Sequence, residues 1–196
     1  YNNQYFVDGV NTTDPLTNTF STNMNFDAIE QIEVITGGMD AEYGRSLGGA
    51  VNIITRSGGN KFEGDVQMLY TETRMQIYEP IEDVDPDELP ESNKKMVAFN
   101  LGGPILIEKL WFFTNVQLNS NQSTETVPDT VNRPVEMQTE DWKSAYLFGK
   151  LTFRPNASHR LWIQGQSDPT DIRNADRSIY TLPSGESWWR QGGWLA

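Results

Sequence analysis

The sequence predicts a mostly β protein, with a compact α+β segment over residues 1–60 and antiparallel strands of a transmembrane β-barrel over residues 61–196. Before residue 61, short β-branched runs are separated by glycine pairs, which is typical of short strands and tight turns. After residue 61, apolar and polar residues alternate over long stretches, as in a sheet with one apolar face. The connections between those stretches are alternately short and long, a feature of outer-membrane barrels.

The composition excludes several classes of partner and site. The formal net charge of −12 argues against nucleic-acid binding, which needs a basic surface, and against docking on an anionic cytoplasmic leaflet. The chain has no cysteine, which excludes disulfides, thiolate metal sites and cysteine nucleophiles. No run approaches about eighteen apolar residues, so a membrane-spanning role would fall to strands. The chain lacks an initiator Met, and both ends fall within strand-like sequence, which predicts an internal fragment of a longer protein.

The first 60 residues contain short elements. Residues 32–36 and 50–55 are rich in β-branched side chains and predict two short strands. Residues 25–30 predict one helical turn capped by Asn25 or Asp27, because such side chains accept hydrogen bonds from the first free N–H groups of a helix. The glycine pairs mark turns or close backbone approaches, and none has the spacing of a phosphate-binding loop.

Long amphipathic strands are predicted from residue 61 onward. In residues 62–70 the even positions include Phe62, Val66 and Met68, whereas the odd positions include Asp65 and Gln67. This period of two predicts a strand whose even positions face lipid and whose odd positions face a polar lumen. The same alternation predicts strands at residues 97–101, 110–119, 146–153 and 161–166, and a sixth strand starting near residue 187.

The connections between these strands indicate which ends lie outside the membrane. Residues 102–109 and 155–159 predict short turns, whereas residues 74–95, 120–142 and 168–186 predict long polar loops. Barrels of the outer membrane have short periplasmic turns and long external loops. The alternative is a non-transporting surface β-sandwich, an adhesin or glycan-binding protein, whose loops need not follow this order. The two differ in whether one set of apolar residues forms an outward band about 25 Å tall; the set is Phe62, Val66, Met68, Leu110, Phe112, Leu151 and Ile163.

Three motifs in the first 60 residues resemble a known family. Residues 5–10 (YFVDGV), 28–38 (AIEQIEVITGG) and 41–56 (AEYGRSLGGAVNIITR) resemble, in this order and at these gaps, the plug of TonB-dependent outer-membrane receptors. Three further stretches resemble the Oar-like subgroup of these receptors: residues 103–104 (GP), 109–113 (KLWFF) and 149–152 (GKLT). Residues 37–40 (GGMD) depart from the usual Gly-Pro consensus, so the resemblance does not imply a siderophore or cobalamin as substrate.

The resemblance implies an architecture and partners. Residues 1–60 would be the C-terminal part of the α+β plug segment, and residues 61–196 the N-terminal strands of a barrel of roughly 22 strands. The receptor would move a substrate across the outer membrane of a diderm bacterium, energised by the TonB–ExbB–ExbD complex through a region outside these residues. Outer-membrane lipid and lipopolysaccharide would surround it. Substrate, organism and direction of transport are not implied.

Charged residues are the candidate contacts between plug and barrel. Glu33, Glu42 and Arg45 lie in the plug motifs, and they are expected to contact charged residues of the barrel, because a buried charge needs a partner. The expected barrel residues are Glu63, Asp65 and Lys150. The alternative is that these charges face water in the lumen, where ion pairs are weak.

No enzyme, cofactor or metal site is expected. His159 is the only histidine and lies in a predicted turn, and one histidine alone cannot build a zinc site or a catalytic triad. The acidic run at residues 83–88 lacks the glycine of a calcium loop and is interrupted by Pro86, which favours a solvated external loop with divalent bridging to lipopolysaccharide as a further option. Trp188, Trp189 and Trp194 suit a membrane girdle or stacking on sugars.

Overall fold

The strands form two sheets. The computed structural model describes residues 3–21, 23–36, 48–75, 91–126, 137–174, 188–191 and 194–195. Strands β1–β4 form the N-terminal sheet, and strands β5–β12 form the long-stranded sheet. The described part of the chain is therefore mostly β, as predicted. Within these ranges no helix has the length and apolar character needed to cross a membrane.

The N-terminal sheet has the strand order β2-β1-β4-β3. Its strands are β1 (Asn3–Val7), β2 (Val10–Asn11), β3 (Ile29–Ile35) and β4 (Gly49–Thr55). Strands β1 and β4 are parallel, and the other neighbours are antiparallel. The two strands predicted in this region are confirmed as β3 and β4. Parallel pairing of β1 with β4 brings the first and last strands of the segment together, so that the chain leaves the sheet beside the β1–β2 turn.

A single 3-10 turn, Phe26–Ala28, precedes β3. Asn25 caps it, because its Oδ1 accepts a hydrogen bond from the Asp27 N–H at 3.0 Å. The predicted helical turn is confirmed in place and cap, but Ile29 and Glu30 already belong to β3. Among the described residues of the first 60, this turn is the helical structure present. The predicted α component of the segment is seen there only as this turn.

The described strand pairs of the long-stranded sheet are all antiparallel. Its strands are β5 (Glu63–Glu72), β6 (Glu91–Leu106), β7 (Leu110–Thr126), β8 (Met137–Asn156), β9 (His159–Ser167), β10 (Thr170–Arg173), β11 (Trp188–Gln191) and β12 (Trp194–Leu195). A second 3-10 turn, Thr73–Met75, follows β5. Strand β8 is long enough to pair with β9 along one half and with β10 along the other. Asp168 and Pro169 separate β9 from β10, and Pro169 has no N–H to contribute to the ladder.

Several predicted boundaries are wrong. Strands β6, β7 and β8 have 16, 17 and 20 residues, and they extend into the predicted loops at residues 74–95 and 120–142. Strand β10 lies inside the predicted loop at residues 168–186. The turn predicted at residues 102–109 is shorter, because β6 continues to Leu106, whereas the turn at residues 155–159 is confirmed around residues 157–158. Ladder hydrogen bonds join backbones, so strands persist where both faces carry polar residues and alternation disappears.

The two faces of the long-stranded sheet differ. Register aligns Val66 with Phe99 and Phe99 with Val116 on one face, and Val66 and Met68 are 59% and 78% exposed. We call this the outward face. Phe113 and Phe148 are buried on the opposite face, against the N-terminal sheet. A β-sandwich would require a second sheet on the apolar outward face, and the N-terminal sheet lies on the other side.

Candidate functional site

The candidate site is the contact surface between the two sheets, which we call the seam. It is formed by Asp8, Asn23, Ala28 and Thr55 on one side and by Phe113, Phe148, Lys150 and Asp168 on the other. Strand alternation places the second group on the inner face of β7–β9 or at the break after β9. The seam therefore joins the two sheets through polar, charged and apolar groups.

A buried ion pair lies at the centre of the seam. Lys150 Nζ on β8 lies 3.0 Å from Asp8 Oδ2, and the two side chains are 6% and 8% exposed. Lys150 also donates to Thr55 Oγ1 at 2.8 Å and to the Thr55 carbonyl oxygen at 3.4 Å. The ammonium group therefore has three acceptors. Such a pair is costly to disrupt on one side, because the remaining charge is buried without compensation.

The position of Asp8 follows from the turn between β1 and β2. Asp8 and Gly9 have φ angles of 48° and 82°, the left-handed pair that a two-residue hairpin turn requires and that Asp-Gly adopts readily. The turn directs the Asp8 carboxylate toward the end of β4, where the Thr55 N–H donates to Asp8 Oδ1 at 3.1 Å and the Thr55 hydroxyl donates to Oδ2. The carboxylate is thus oriented by its own sheet before it meets Lys150.

A second polar contact lies at the break between β9 and β10. Asp168 Oδ2 accepts from the Asn23 N–H at 2.9 Å and from Asn23 Nδ2 at 3.0 Å, and Asp168 is 7% exposed. Charge-assisted bonds of this kind are stronger than neutral ones. The irregularity of the long-stranded sheet therefore supplies a fixed acceptor for the segment that precedes the 3-10 turn.

Apolar packing joins these two polar contacts. Ala28 is fully buried with Phe113 and Phe148, whose ring centroids are 6.1 Å apart. The Arg56 guanidinium carbon lies 5.3 Å from the centroid of the Phe113 ring, within cation–π range. A cavity of about 200 Å³ between β1 and β9 lies next to this packing, and Thr12 and Gln166 line it. The seam therefore keeps some free volume beside its ion pair.

The connection between the two sheets passes close to the inner face of β6 and β7. A Cβ atom on Gly58 would lie inside contact distance of the Phe112 carbonyl oxygen, whereas a Cβ on Gly59 would meet nothing within 4 Å. Asn60 Oδ1 accepts from the Glu108 N–H at 2.9 Å and from Trp111 Nε1 at 2.7 Å. Gly58 thus permits the close approach, and Asn60 fixes the connection to the β6–β7 turn.

The predicted contact residues fall in different places. Lys150 lies in the seam. Glu33 lies on β3 and accepts within its own sheet, from Asn52 Nδ2 at 3.2 Å and Gln31 Nε2 at 3.4 Å. Glu63 and Asp65 line a small cavity of about 150 Å³ that the connection also lines, and Asp65 accepts from Asn100 Nδ2 at 3.1 Å. Glu42 and Arg45 lie outside the described residues, as does the acidic run at 83–88.

The partners of Lys150 and Asn23 were not evident from the sequence. Asp8 was visible only as part of the Asp-Gly motif, although an Asp in a hairpin turn is held in one orientation and is a natural partner for a buried cation. Asp168 precedes a proline within strand-like sequence, and this pairing signals a break at which a side chain can leave the ladder. Neither Asp8 nor Asp168 lies in a stretch of alternating apolar and polar residues, so alternation did not indicate them.

Comparison with known proteins identifies the family. The family model of the TonB-dependent receptor plug domain matches residues 1–51, which contain β1–β3 and the start of β4. The chain is 32% identical over 195 aligned residues to the TonB-dependent transporter Oar of Myxococcus xanthus, a match that covers 86% of this chain and 18% of that protein. The chain belongs to the TonB-dependent receptor family. The Oar-like resemblance is confirmed.

A second relative supports the assignment. The receptor is 35% identical over 85 residues to the probable TonB-dependent siderophore receptor PirA of Acinetobacter baumannii, over 43% of this chain and 10% of that protein. The chain thus spans less than a fifth of the length of either curated relative. TonB-dependent receptors are outer-membrane proteins of Gram-negative bacteria, and this receptor belongs in that membrane.

Proposed function

We propose that residues 1–60 are the C-terminal part of the plug, that residues 61–196 are the N-terminal strands of a closed barrel wall, and that the receptor moves a substrate through this plugged barrel. The TonB–ExbB–ExbD complex would supply the energy through a region outside these residues. The role is transport rather than catalysis. The name of one relative includes a siderophore, but the seam carries no group that selects a substrate class, and we propose none.

The observation that carries this proposal is the buried Asp8–Lys150 pair. It joins the turn after the first plug strand to the middle of a wall strand, at a depth where both side chains are under a tenth exposed. A permanently fixed core would gain as much from apolar residues of similar volume, because desolvation offsets the attraction within such a pair. A charged contact with free volume beside it favours a segment that must dock in one place and also release.

We also propose further charged contacts between the plug and the wall. The plug residues are Glu33, Glu42 and Arg45, and the wall residues are Glu63, Asp65 and Lys150. Asp65 and Glu63 line the same cavity as Arg56 and Lys61 of the connection. We propose that they attract this basic connection, so that it stays against the wall while the rest of the plug rearranges.

The test is whether the plug moves when TonB is active. Thr12 is 3% exposed and borders the seam cavity, so a cysteine fits in place of Thr12 with little change in volume. In the full-length receptor, Thr12→Cys should react with a small porin-permeant thiol reagent several-fold faster in cells with TonB than in cells lacking it. Ala157→Cys, in the exposed turn between β8 and β9, is the control and should react equally in both.

Equal labelling of Thr12→Cys in the two strains, with Ala157→Cys labelled normally, would contradict energised movement of the plug. A surface adhesin would give this result, because nothing in its function depends on TonB.

A further inference from the structure

The cavity in the seam is lined by both parts of the chain. It has a volume of about 200 Å³ and lies between β1 and β2 on one side and β8 and β9 on the other. The N-terminal segment contributes Val7 and Thr12, which are 1% and 3% exposed. The long-stranded sheet contributes Phe148, Trp162 and Gln166. A molecule held in this cavity would therefore contact the proposed plug and the proposed wall at the same time.

Gln166 gives this cavity its chemical selectivity. Strand alternation places its side chain on the inner face of β9, where the residue is 5% exposed. Among the described residues, neither its Nε2 donor nor its Oε1 acceptor has a hydrogen-bond partner. An unpaired amide in a buried position is unfavourable, and a ligand that pairs with it removes this penalty. The carboxamide therefore favours a ligand that presents one acceptor and one donor side by side.

The other residues of the long-stranded sheet indicate that the rest of the ligand is flat and apolar. Phe148 on β8 is aligned with Gln166, and Trp162 lies four residues earlier on the same face of β9. Aromatic side chains pack favourably against planar rings. An apolar cavity of about 150 Å³ accommodates benzene, so the volume of about 200 Å³ accommodates one ring with one small polar group. It is smaller than the pockets of roughly 300–1,000 Å³ that hold drug-sized ligands.

The cavity also borders the buried ion pair. Gln164, which lines the cavity, has its Oε1 3.4 Å from Thr55 Oγ1. Thr55 in turn contacts both Asp8 and Lys150. A ligand in the cavity would lie next to the contacts that join the two sheets, and it would lose part of its surroundings if the sheets separated. Such a ligand therefore stabilises the docked arrangement, because it binds that arrangement better than the separated one.

We propose that the seam cavity binds a small planar molecule that carries a primary amide or a lactam, and that the bound molecule holds the plug against the wall. Its amide pairs with the Gln166 carboxamide through two hydrogen bonds, in which Nε2 donates and Oε1 accepts. Its ring packs against Phe148 and Trp162. This molecule is a ligand of the seam rather than the transported substrate. The binding site rests on the geometry of the seam, and its effect on the plug rests on the proposed function.

The experiment measures binding of benzamide to the purified full-length receptor in detergent by saturation-transfer NMR, with receptor-free micelles as the background. Acetophenone is the comparison ligand, because it has a similar shape but a methyl group in place of the amide nitrogen. The test variant is Gln166→Leu, which keeps a side chain of similar volume and removes the hydrogen-bonding group. The control variant is Gln67→Leu, on β5 and outside the cavity. Heat-modifiable migration on gels shows that each variant is folded.

We expect saturable binding of benzamide with a Kd on the order of 1 mM, which is reasonable for so small a ligand. Acetophenone should bind about tenfold more weakly or less, because it leaves the Gln166 acceptor unpaired. Gln166→Leu should abolish the preference for benzamide, whereas Gln67→Leu should retain it. Absence of saturable binding, equal affinity of the unchanged receptor for the two compounds, or a preference that persists in Gln166→Leu would overturn the proposal.

A second measurement tests whether bound benzamide holds the plug. At ten times its Kd, benzamide should lower the ratio of released to docked plug about tenfold at a fixed urea concentration, as followed by proteolysis. An unchanged ratio at saturating benzamide would contradict the bridging role. Binding in detergent requires neither TonB nor a membrane, whereas the labelling of Thr12→Cys measures TonB-dependent movement, so either proposal can fail alone.

Discussion

At the scale of single residues, the three-way contact of Asp8, Thr55 and Lys150 joins the N-terminal sheet to the long strands. Lys150 reaches the N-terminal sheet because it lies on the inner face of β8, and that much follows from alternation in the sequence. Alternation does not predict that Asp8 is its partner, because the Asp8 carboxylate comes from a turn whose direction is set by the φ angles of Asp8 and Gly9. Alternation in the sequence predicts the face of the sheet on which a side chain lies, but contacts between separate sheets depend on how the sheets pack.

Replacement of Lys150 by methionine tests this contact. Lys150→Met leaves the Asp8 carboxylate buried without a cation and should lower the free energy of plug unfolding by about 3–5 kcal/mol. The double variant Asp8→Asn/Lys150→Met should recover a large part of this loss, since no charge then remains buried. The measurement is a urea titration of the full-length receptor followed by proteolysis of the released plug.

Glu30→Gln is the matched control, because Glu30 is exposed on β3 and its substitution should change stability by less than about 0.5 kcal/mol. If the double variant lost as much stability as Lys150→Met alone, the burial of an unpaired charge would not be the cause.

Gly58 offers a second test at this scale. Gly58→Ala would place a methyl group against the Phe112 backbone and should destabilise the receptor by about 1–3 kcal/mol, the usual cost of overpacking. Gly59→Ala, one residue later, has open space and should be nearly neutral. Midpoints of urea unfolding for the two variants give the comparison directly, and equal midpoints would show that the connection does not run against β7.

At the scale of strands and turns, the sequence predicted which strands form and which residues share a face better than it predicted where each strand ends. The alternation of Val66 and Met68 with Asp65 and Gln67 predicted which face is apolar, and the pairing of β5 with β6 agrees. The ends of β6, β7 and β8 were not predictable from alternation, because Ser, Thr, Asn and Gln there occupy both faces. Backbone pairing with the neighbouring strand continues regardless, and this pairing is not visible in any one strand's sequence.

A pair of arginine substitutions on β5 tests the register. Val66 lies on the apolar outward face, aligned with Phe99, so Val66→Arg should cost roughly 2–4 kcal/mol of stability in lipid. Gln67→Arg, on the inner face beside Asp65, should change stability far less. Urea titrations of the full-length receptor refolded into lipid vesicles give both values, and similar losses at the two positions would contradict the assigned faces.

At the scale of the whole molecule, the motifs of the first 60 residues predicted the family, and the matches to the plug model and to the Myxococcus xanthus transporter confirmed it. The sequence also predicted that one sheet would precede a longer one. It predicted Lys150 as one point of contact between the two, but neither the partner of Lys150 nor the contact between Asn23 and Asp168. Asn23 and Asp168 are 145 positions apart in sequence, and a contact of that separation depends on the assembled fold.

The conductance of single receptors in a planar lipid bilayer in potassium chloride tests most directly whether the N-terminal segment closes a pore whose wall the long strands begin. The full-length receptor should conduct little, because in the proposed arrangement the plug fills the lumen. A variant from which the plug is removed up to Arg56 should show large, stable channels, and Lys150→Met should open at lower urea concentrations than the unchanged receptor. Absence of channels in the plug-deleted variant, when that variant is folded and inserted, would contradict the claim.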